Sequence, residues 1–260
     1  MKCKICSDES KEIFSAEILQ KYEVKYYFCP NCNFLHTEEP YWLNEAYTSA
    51  ISITDTGILK RNQLFAKRTS AIISSFFDCE KKFLDYAGGY GIFVRLMRDS
   101  GFDFYWYDLY AENLFAKGFE VNKNDKIVLV TAFECFEHFE NPVDEIEKLL
   151  AISSNIIFST RTFQGVPPKP ADWWYYSLDS GQHISFYSKK TLQYLAEKFK
   201  LNLNSDNKAF HMFTKKKINN FRFNLIVKLS DAGLYSLKYS RLKSKTETDN
   251  EFLSGRKDKS

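Results

Sequence analysis

The stretch Lys82–Asp108, KFLDYAGGYGIFVRLMRDSGFDFYWYD, decides the fold. Phe83 and Leu84 make a short apolar strand that ends in Asp85, and Gly88-Gly89-Tyr90-Gly91 follows as a glycine-rich turn. Ile92, Phe93, Leu96 and Met97 then recur at helical spacing, which gives the segment one apolar face. Gly101 stops that helix, and Phe104-Tyr105-Trp106-Tyr107 reads as a second strand ending in Asp108. Strand, glycine turn, helix, strand, acid is half of a doubly wound parallel sheet. Glycines at the turn let the main chain come close to a ligand, and the helix start presents N–H groups that have no partner inside the helix.

An acid closing the second strand can accept both hydroxyls of a ribose, which points the turn toward a nucleoside. A tight packing turn is the plain alternative. A dinucleotide fingerprint would place Gly-x-Gly-x-x-Gly here, whereas Asp85 precedes the glycines. The order acid-x-small-x-Gly-x-Gly, carried by Asp85, Ala87, Gly89 and Gly91, resembles motif I of the class I S-adenosylmethionine-dependent methyltransferases, with Ala87 at the place of the first glycine and Gly88 beside it. The resemblance implies an α/β fold, a Rossmann-like seven-stranded sheet with its last strand antiparallel. It also implies cofactor contacts from Asp85, Tyr86, Ala87, Gly88, Gly89, Gly91 and Asp108.

Around this centre the chain continues the pattern. Residues 58–77 carry Leu64, Phe65, Ile72, Ile73, Phe76 and Phe77 on one face of a long amphipathic helix ahead of the first strand. Tyr47, Asp55, Arg61 and Asn62 either face a cleft or cap and solvate that helix. Ile127–Thr131 is a continuous apolar run, as a strand buried on both faces requires. Pro142 opens the next helix at its first position, with Asp144 and Glu145 in the first turn, and Asn155–Ser159 is the following strand. The run Thr131–Pro142, containing Phe133-Glu134-Cys135-Phe136-Glu137-His138, resembles the segment after the fourth strand in these methyltransferases. That implies Phe133 and Glu134 at the methionine end of the cofactor. Glu137 and His138 read either as cleft residues or as groups that pin the loop.

Beyond the fifth strand, Phe163–Pro170 is a stiff loop, followed by Trp173-Trp174-Tyr175-Tyr176 and Gly181-Gln182-His183-Ile184-Ser185. Ligands of open α/β sheets bind beyond the carboxyl ends of the strands, so Trp173, Trp174 and Tyr175 either offer flat faces to a sugar ring or roof the sheet. An imidazole with an ordinary pKa of about 6.5 can take a proton from a hydroxyl at neutral pH. His183 is the candidate base and His138 its rival. Ser188 caps a helix with Leu192, Leu195, Ala196 and Phe199 buried. Residues 201–204 and 209–213 read as the closing hairpin of the sheet. A basic helix with Ile218, Phe221, Phe223, Leu225 and Ile226 follows, and 244–260 is polar and expected to be disordered.

Two Cys-x-x-Cys pairs, Cys3/Cys6 and Cys29/Cys32, stand twenty-two residues apart. Two such knuckles complete a tetrahedral thiolate site, the geometry of structural zinc, and leave no open position for chemistry. Residues 13–28 between them read as a hairpin. His36 is a redundant ligand, and Cys79 and Cys135 are small apolar residues. The balance of charge, +3 over 260 residues, demands no nucleic-acid partner. The chain has no run of eighteen apolar residues and its first ten residues hold no apolar signal core, so no membrane span is expected and the cytoplasm is the expected compartment.

The expected layout is 1–40 zinc knuckle, 41–80 helical cover, 81–217 methyltransferase domain, and 218–260 basic helix with a disordered tail. Knuckle, motif I and tryptophan-rich loop together resemble the zinc-knuckle methyltransferases linked to surface-polysaccharide and deoxysugar synthesis. That implies methyl transfer to a small-molecule or saccharide oxygen. A zinc-ribbon RNA methyltransferase, a nucleotide-sugar C-methyltransferase and a non-catalytic scaffold are the alternatives. Oligomeric state and any need for magnesium stay open.

Overall fold

A computed structural model describes residues 1–47, 55–234 and 242–255. The chain divides into two compact units, one of Met1–Ser52 with Ala132–Lys217 and one of Ile53–Thr131 with Ile218–Ser260. Each unit is therefore built from two separated pieces of sequence.

In the first unit, β1 (Lys11–Ile18), β2 (Tyr22–Phe28), β3 (Leu35–Thr37) and β8 (Ser185–Phe186) make an antiparallel sheet in that order. The hairpin expected at residues 13–28 is formed by β1 and β2, and it buries Ala16, Ile18, Val24 and Tyr26 on one face. The β1–β2 loop holds Leu19 and Gln20 in the left-handed region, at φ 56° and 54°. The short helix α1 (Leu43–Ala46) follows Trp42, whose buried indole donates to the Gly181 carbonyl at 2.8 Å. Trp42, Tyr26, Tyr175, Tyr176 and Phe186 share one apolar core with this sheet. Strand β7 (Asn155–Ser159) pairs antiparallel with β10 (Phe210–Thr214), which pairs antiparallel with β9 (Asn202–Ser205). Helices α4 (Pro142–Ile152) and α5 (Lys189–Lys198) belong to the same unit, and Ser188 caps α5 through a reciprocal bond with Thr191.

In the second unit, β4 (Lys82–Tyr86) lies between β5 (Asp103–Tyr107) and β6 (Ile127–Ala132), both parallel to it. Helix α3 (Ile92–Asp99) makes the crossover from β4 to β5, and α2 (Ile58–Phe76) packs against α3 and α6 (Asn220–Asp231). Strand order in the large sheet is β5-β4-β6-β7-β10-β9. The fold is thus α/β with a mixed, mostly parallel central sheet whose last strand in sequence, β10, runs antiparallel.

Two expectations change. Among the described residues the sheet has six strands; where a seventh would extend it beside β5 there is a single parallel bridge, Trp106–Glu120. The cause is local. Gly118 sits at φ 87° on one side of that bridge, and a turn closed by the Asp125 carboxylate accepting from the Asn122 N–H follows on the other, so no longer strand can form. The tail expected to be disordered contains α7 (Thr246–Ser254). Asp249, 4% exposed, accepts from Arg98 at 2.7 and 2.8 Å, and Phe252 stacks beside Phe119. A polar segment with one carboxylate in register with a buried guanidinium gains a docking point that composition does not reveal. Residues 256–260 lie outside the described residues.

Candidate functional site

The glycine turn after β4 is held from three sides within its own unit. Gly88 N–H donates to the Tyr107 carbonyl at 3.1 Å, and Gly91 N–H donates to the Gly88 carbonyl at 3.0 Å. The Trp106 indole donates to the Gly89 carbonyl at 2.8 Å. Gly89 N–H donates to Asp108 Oδ2 at 2.9 Å, while Tyr110 and Ala111 N–H donate to Oδ1 at 2.7 and 2.9 Å. Asp108, read from sequence as a ribose acceptor, therefore organises the loops on both sides of itself. Three N–H donors leave acceptor capacity on a carboxylate with about four lone-pair positions.

A Cβ on Gly88 would stand 2.8 Å from Trp106 Cδ1 and 3.0 Å from Asp85 Oδ2, and one on Gly91 would stand 2.9 Å from Asn113 Oδ1. Gly89 has open space beside it. Ala87 occupies the left-handed region at φ 57°, a conformation that favours glycine. Asp85 is 3% exposed beneath this turn and accepts from the Thr131 hydroxyl at 2.7 Å. Burial pushes its carboxyl up to about 7, against the pull of Thr131, and the nearby Asp108 charge adds to the rise. Tyr86 stacks obliquely on Tyr107 at 5.2 Å. The turn and its walls gather small residues, main-chain groups and the carboxylates of Asp85 and Asp108 at the ends of β4 and β5.

The second cluster lies in the other unit. His138 ends a 3-10 turn, Phe136–His138, and His183 lies in the extended run before β8. Their rings meet edge to face with centroids 5.0 Å apart. His138 Nδ1 lies 3.0 Å from the Gln182 carbonyl and 3.0 Å from the Tyr47 hydroxyl; His183 Nδ1 lies 2.7 Å from the Tyr175 carbonyl. Burial and the neighbouring His183 hold His138 far below the usual imidazole range, at about 3, so it is neutral at physiological pH. Glu137 has no exposed surface, and a ligating atom from each of Glu137, His138 and His183 lies within 4.8 Å of the others. Glu134, at φ 51°, is fastened to β7: its N–H donates to Ser159 Oγ at 2.7 Å and its carboxylate accepts from that hydroxyl at 2.6 Å. Phe133 stacks on Phe210 at 6.1 Å.

The aromatic loop splits in two. Trp173 is half-buried against Phe163, Tyr176 and Phe186, and Tyr175 is 3% exposed with its hydroxyl against Thr160. Trp174 is 72% exposed and carries the Arg161 guanidinium 5.3 Å from its ring centre. Arg61 makes a two-bond ion pair with Asp55 at 2.7 and 3.0 Å, which answers its charge locally. Tyr47 reaches His138, as above.

The four cysteines converge. Cys3 and Cys32 sulfurs are 3.5 Å apart, Cys6 and Cys29 sulfurs 3.4 Å, and all four lie within 4.8 Å. These separations exceed a disulfide bond and approach the roughly 3.8 Å edge of a tetrahedron with metal–sulfur bonds of about 2.3 Å. The two knuckles repeat one local design. Ser7 and Asn33, each following a second cysteine, are left-handed at φ 64° and 56°. Their N–H groups donate to the carbonyls of Cys3 and Cys29 at 3.0 and 2.9 Å. His36 is engaged elsewhere, between the Thr37 carbonyl and Ser10 Oγ.

Trp106, Asn113 and Thr131 escaped sequence reasoning as walls of the turn. Trp106 lies in an aromatic strand where any of four rings could have faced the glycines.

A family model described as methyltransferase domain matches residues 59–205. No curated protein matches the chain. Solved structures similar to it include an O-methyltransferase family protein from Burkholderia thailandensis, at 13% identity over 68% of each chain with a TM-score of 0.42. Another is the magnesium protoporphyrin IX methyltransferase ChlM of Synechocystis PCC 6803 with bound SAM, at 11% identity over 66% of this chain and 87% of that one, TM-score 0.41. The plantazolicin methyltransferase BpumL in complex with SAH shares 13% over 72% of this chain and 86% of its own, TM-score 0.44.

Proposed function

The chain belongs to the methyltransferase-domain family, and on that premise we propose that it moves a methyl group from S-adenosylmethionine to an oxygen of a saccharide-like acceptor. Bound S-adenosylmethionine supplies a methyl group activated by a sulfonium. Gly88, Gly89 and Gly91 allow the main chain of residues 86–91 to lie against that nucleoside, and Asp108 accepts from its ribose. Phe133 and Glu134 are assigned to the methionine end. His183 takes the acceptor's proton, with His138 beside it held neutral. Alignment and exclusion of water contribute most of the acceleration. Trp174 supplies a flat face for a sugar ring, and Arg161 beside it suits a phosphate-like decoration of the kind found in surface-polysaccharide assembly. Cys3, Cys6, Cys29 and Cys32 hold a structural zinc ion, since four thiolates leave it no position for substrate.

The observation that carries the acceptor reading is the histidine pair, each ring with Nδ1 against a main-chain carbonyl. The test is transfer of labelled methyl from S-adenosylmethionine to a panel of free and nucleotide-linked sugars, with cofactor binding followed by calorimetry. His183→Gln is expected to lower turnover at least a hundredfold with cofactor affinity near normal. Full activity in that variant would remove His183 from the reaction, and failure of the wild type to bind the cofactor would leave only a scaffold.

A further inference from the structure

We propose that Glu137, His138 and His183 hold a divalent transition-metal cation whose open coordination positions receive the acceptor oxygen. The second half of this inference rests on the oxygen-acceptor reading above; the first half does not.

A carbonyl oxygen can only accept, so the 3.0 Å contact from His138 Nδ1 to Gln182 and the 2.7 Å contact from His183 Nδ1 to Tyr175 place the proton of each ring on Nδ1. Each ring then carries its lone pair on Nε2. Imidazoles that bind metals are backed in this way, with the other nitrogen donating to a carbonyl or carboxylate that fixes ring orientation and raises basicity. Two neighbouring histidines share this arrangement with rings edge to face at 87°, beside a fully buried carboxylate, and one ligating atom from each of Glu137, His138 and His183 lies within 4.8 Å of the others.

The two segments that bring these donors together are stapled. Ile184 N–H donates to the Glu137 carbonyl at 2.9 Å, the Tyr187 hydroxyl donates to the Phe136 carbonyl at 2.9 Å, and Ser185 Oγ donates to the Phe139 carbonyl at 2.6 Å. Glu137 and His138 therefore keep their place relative to His183 without help from a ligand, and a cation would meet a preformed set. Low polarity around a buried carboxylate strengthens its attraction for a cation.

The donor set also selects the ion. Two imidazoles and one carboxylate suit zinc, iron(II), cobalt(II) or manganese(II) better than calcium or magnesium, which favour all-oxygen surroundings. Three protein ligands, unlike the four thiolates of the cysteine cluster, leave positions open for water or substrate. An acceptor hydroxyl bound there loses its proton to water, and its oxygen then forms the bond to the methyl carbon as the carbon–sulfur bond breaks. His183 on this account is a ligand, which keeps the oxygen acceptor of the reading above but replaces the base role given there to His183, and the two roles are alternatives that the test separates.

The test uses the full chain with one equivalent of zinc, enough for the cysteines alone, and manganese(II) as the probe, because manganese does not displace zinc from thiolates. Titration followed by electron paramagnetic resonance should find one bound manganese ion per chain. Glu137→Gln, His138→Gln and His183→Gln should each weaken it at least tenfold, with circular dichroism showing that each variant is folded. Tyr47→Phe, which removes only a hydroxyl behind His138, should retain binding. A folded wild type that takes up no manganese overturns the inference, as does uptake unchanged in both histidine variants. If the wild type binds none yet His183→Gln loses methyl transfer, the cation falls and the base reading stands. If manganese binds and His183→Gln transfers at full rate, the acceptor half falls.

Discussion

Asp85→Asn should make the protein more stable at alkaline pH, by an amount that grows with pH in a defined window. Asp85 is 3% exposed, and burial raises its carboxyl to about 7 from an unfolded value of about 3.9. Between these two values the folded chain holds a proton that the unfolded chain has released. Stability therefore falls as pH rises from about 4 to about 7, and levels off above that. Three pH units at about 1.4 kcal/mol each amount to about 4 kcal/mol, of which roughly 2–3 kcal/mol accrues between pH 5 and pH 8. Asparagine keeps an acceptor for the Thr131 hydroxyl, now 2.7 Å from Asp85, and cannot ionise. Urea unfolding of both proteins at several pH values between 5 and 8 isolates this residue, because every other titrating group is common to the pair. The stability gap should widen in favour of the variant as pH rises. A gap that stays flat, or one that widens toward acid, would refute the claim that Asp85 is buried without a compensating cation.

The remaining predictions concern the turn and the cysteines. Gly88→Ala should destabilise the protein by about 1–3 kcal/mol and abolish S-adenosylmethionine binding in calorimetry, because the new methyl would stand 2.8 Å from Trp106. Ala87→Gly at φ 57° should leave thermal stability equal or higher. Cys32→Ser should release zinc, read by a chromophoric chelator, and lower the midpoint of unfolding, since Thr191 at the start of α5 donates to the Cys32 carbonyl at 2.9 Å.

The elements of the sheet were legible because their signals are local. Phe83–Asp85 and Ile127–Thr131 announce strands by composition, and Ser188 announces a helix by its cap. The cysteine cluster was legible for a different reason: ligand spacing encodes a contact that spans twenty-odd residues. What stayed hidden depends on partners distant in sequence. The Arg98–Asp249 pair joins residues 151 positions apart, and nothing in the acidic run around Asp249 distinguishes it from a solvated tail. Trp173, Trp174 and Tyr175 are neighbours of one chemical type, and only packing tells that Tyr175 is buried and Trp173 half-buried while Trp174 faces water. The histidines were visible singly, but their pairing arises from a stapling of residues 136–139 to 184–187 that no periodicity records.

Because both units are assembled from interleaved pieces, synthesis and folding must be out of step. Strands β1 to β3 leave the ribosome well before β8, which completes their sheet. Arg98 precedes Asp249 by 151 residues, or roughly 8–30 s at translation rates of about 5–20 residues per second. During that interval a guanidinium destined for burial waits in the nascent chain, and the aromatic strands around it depend on slow, long-range closure for protection from aggregation.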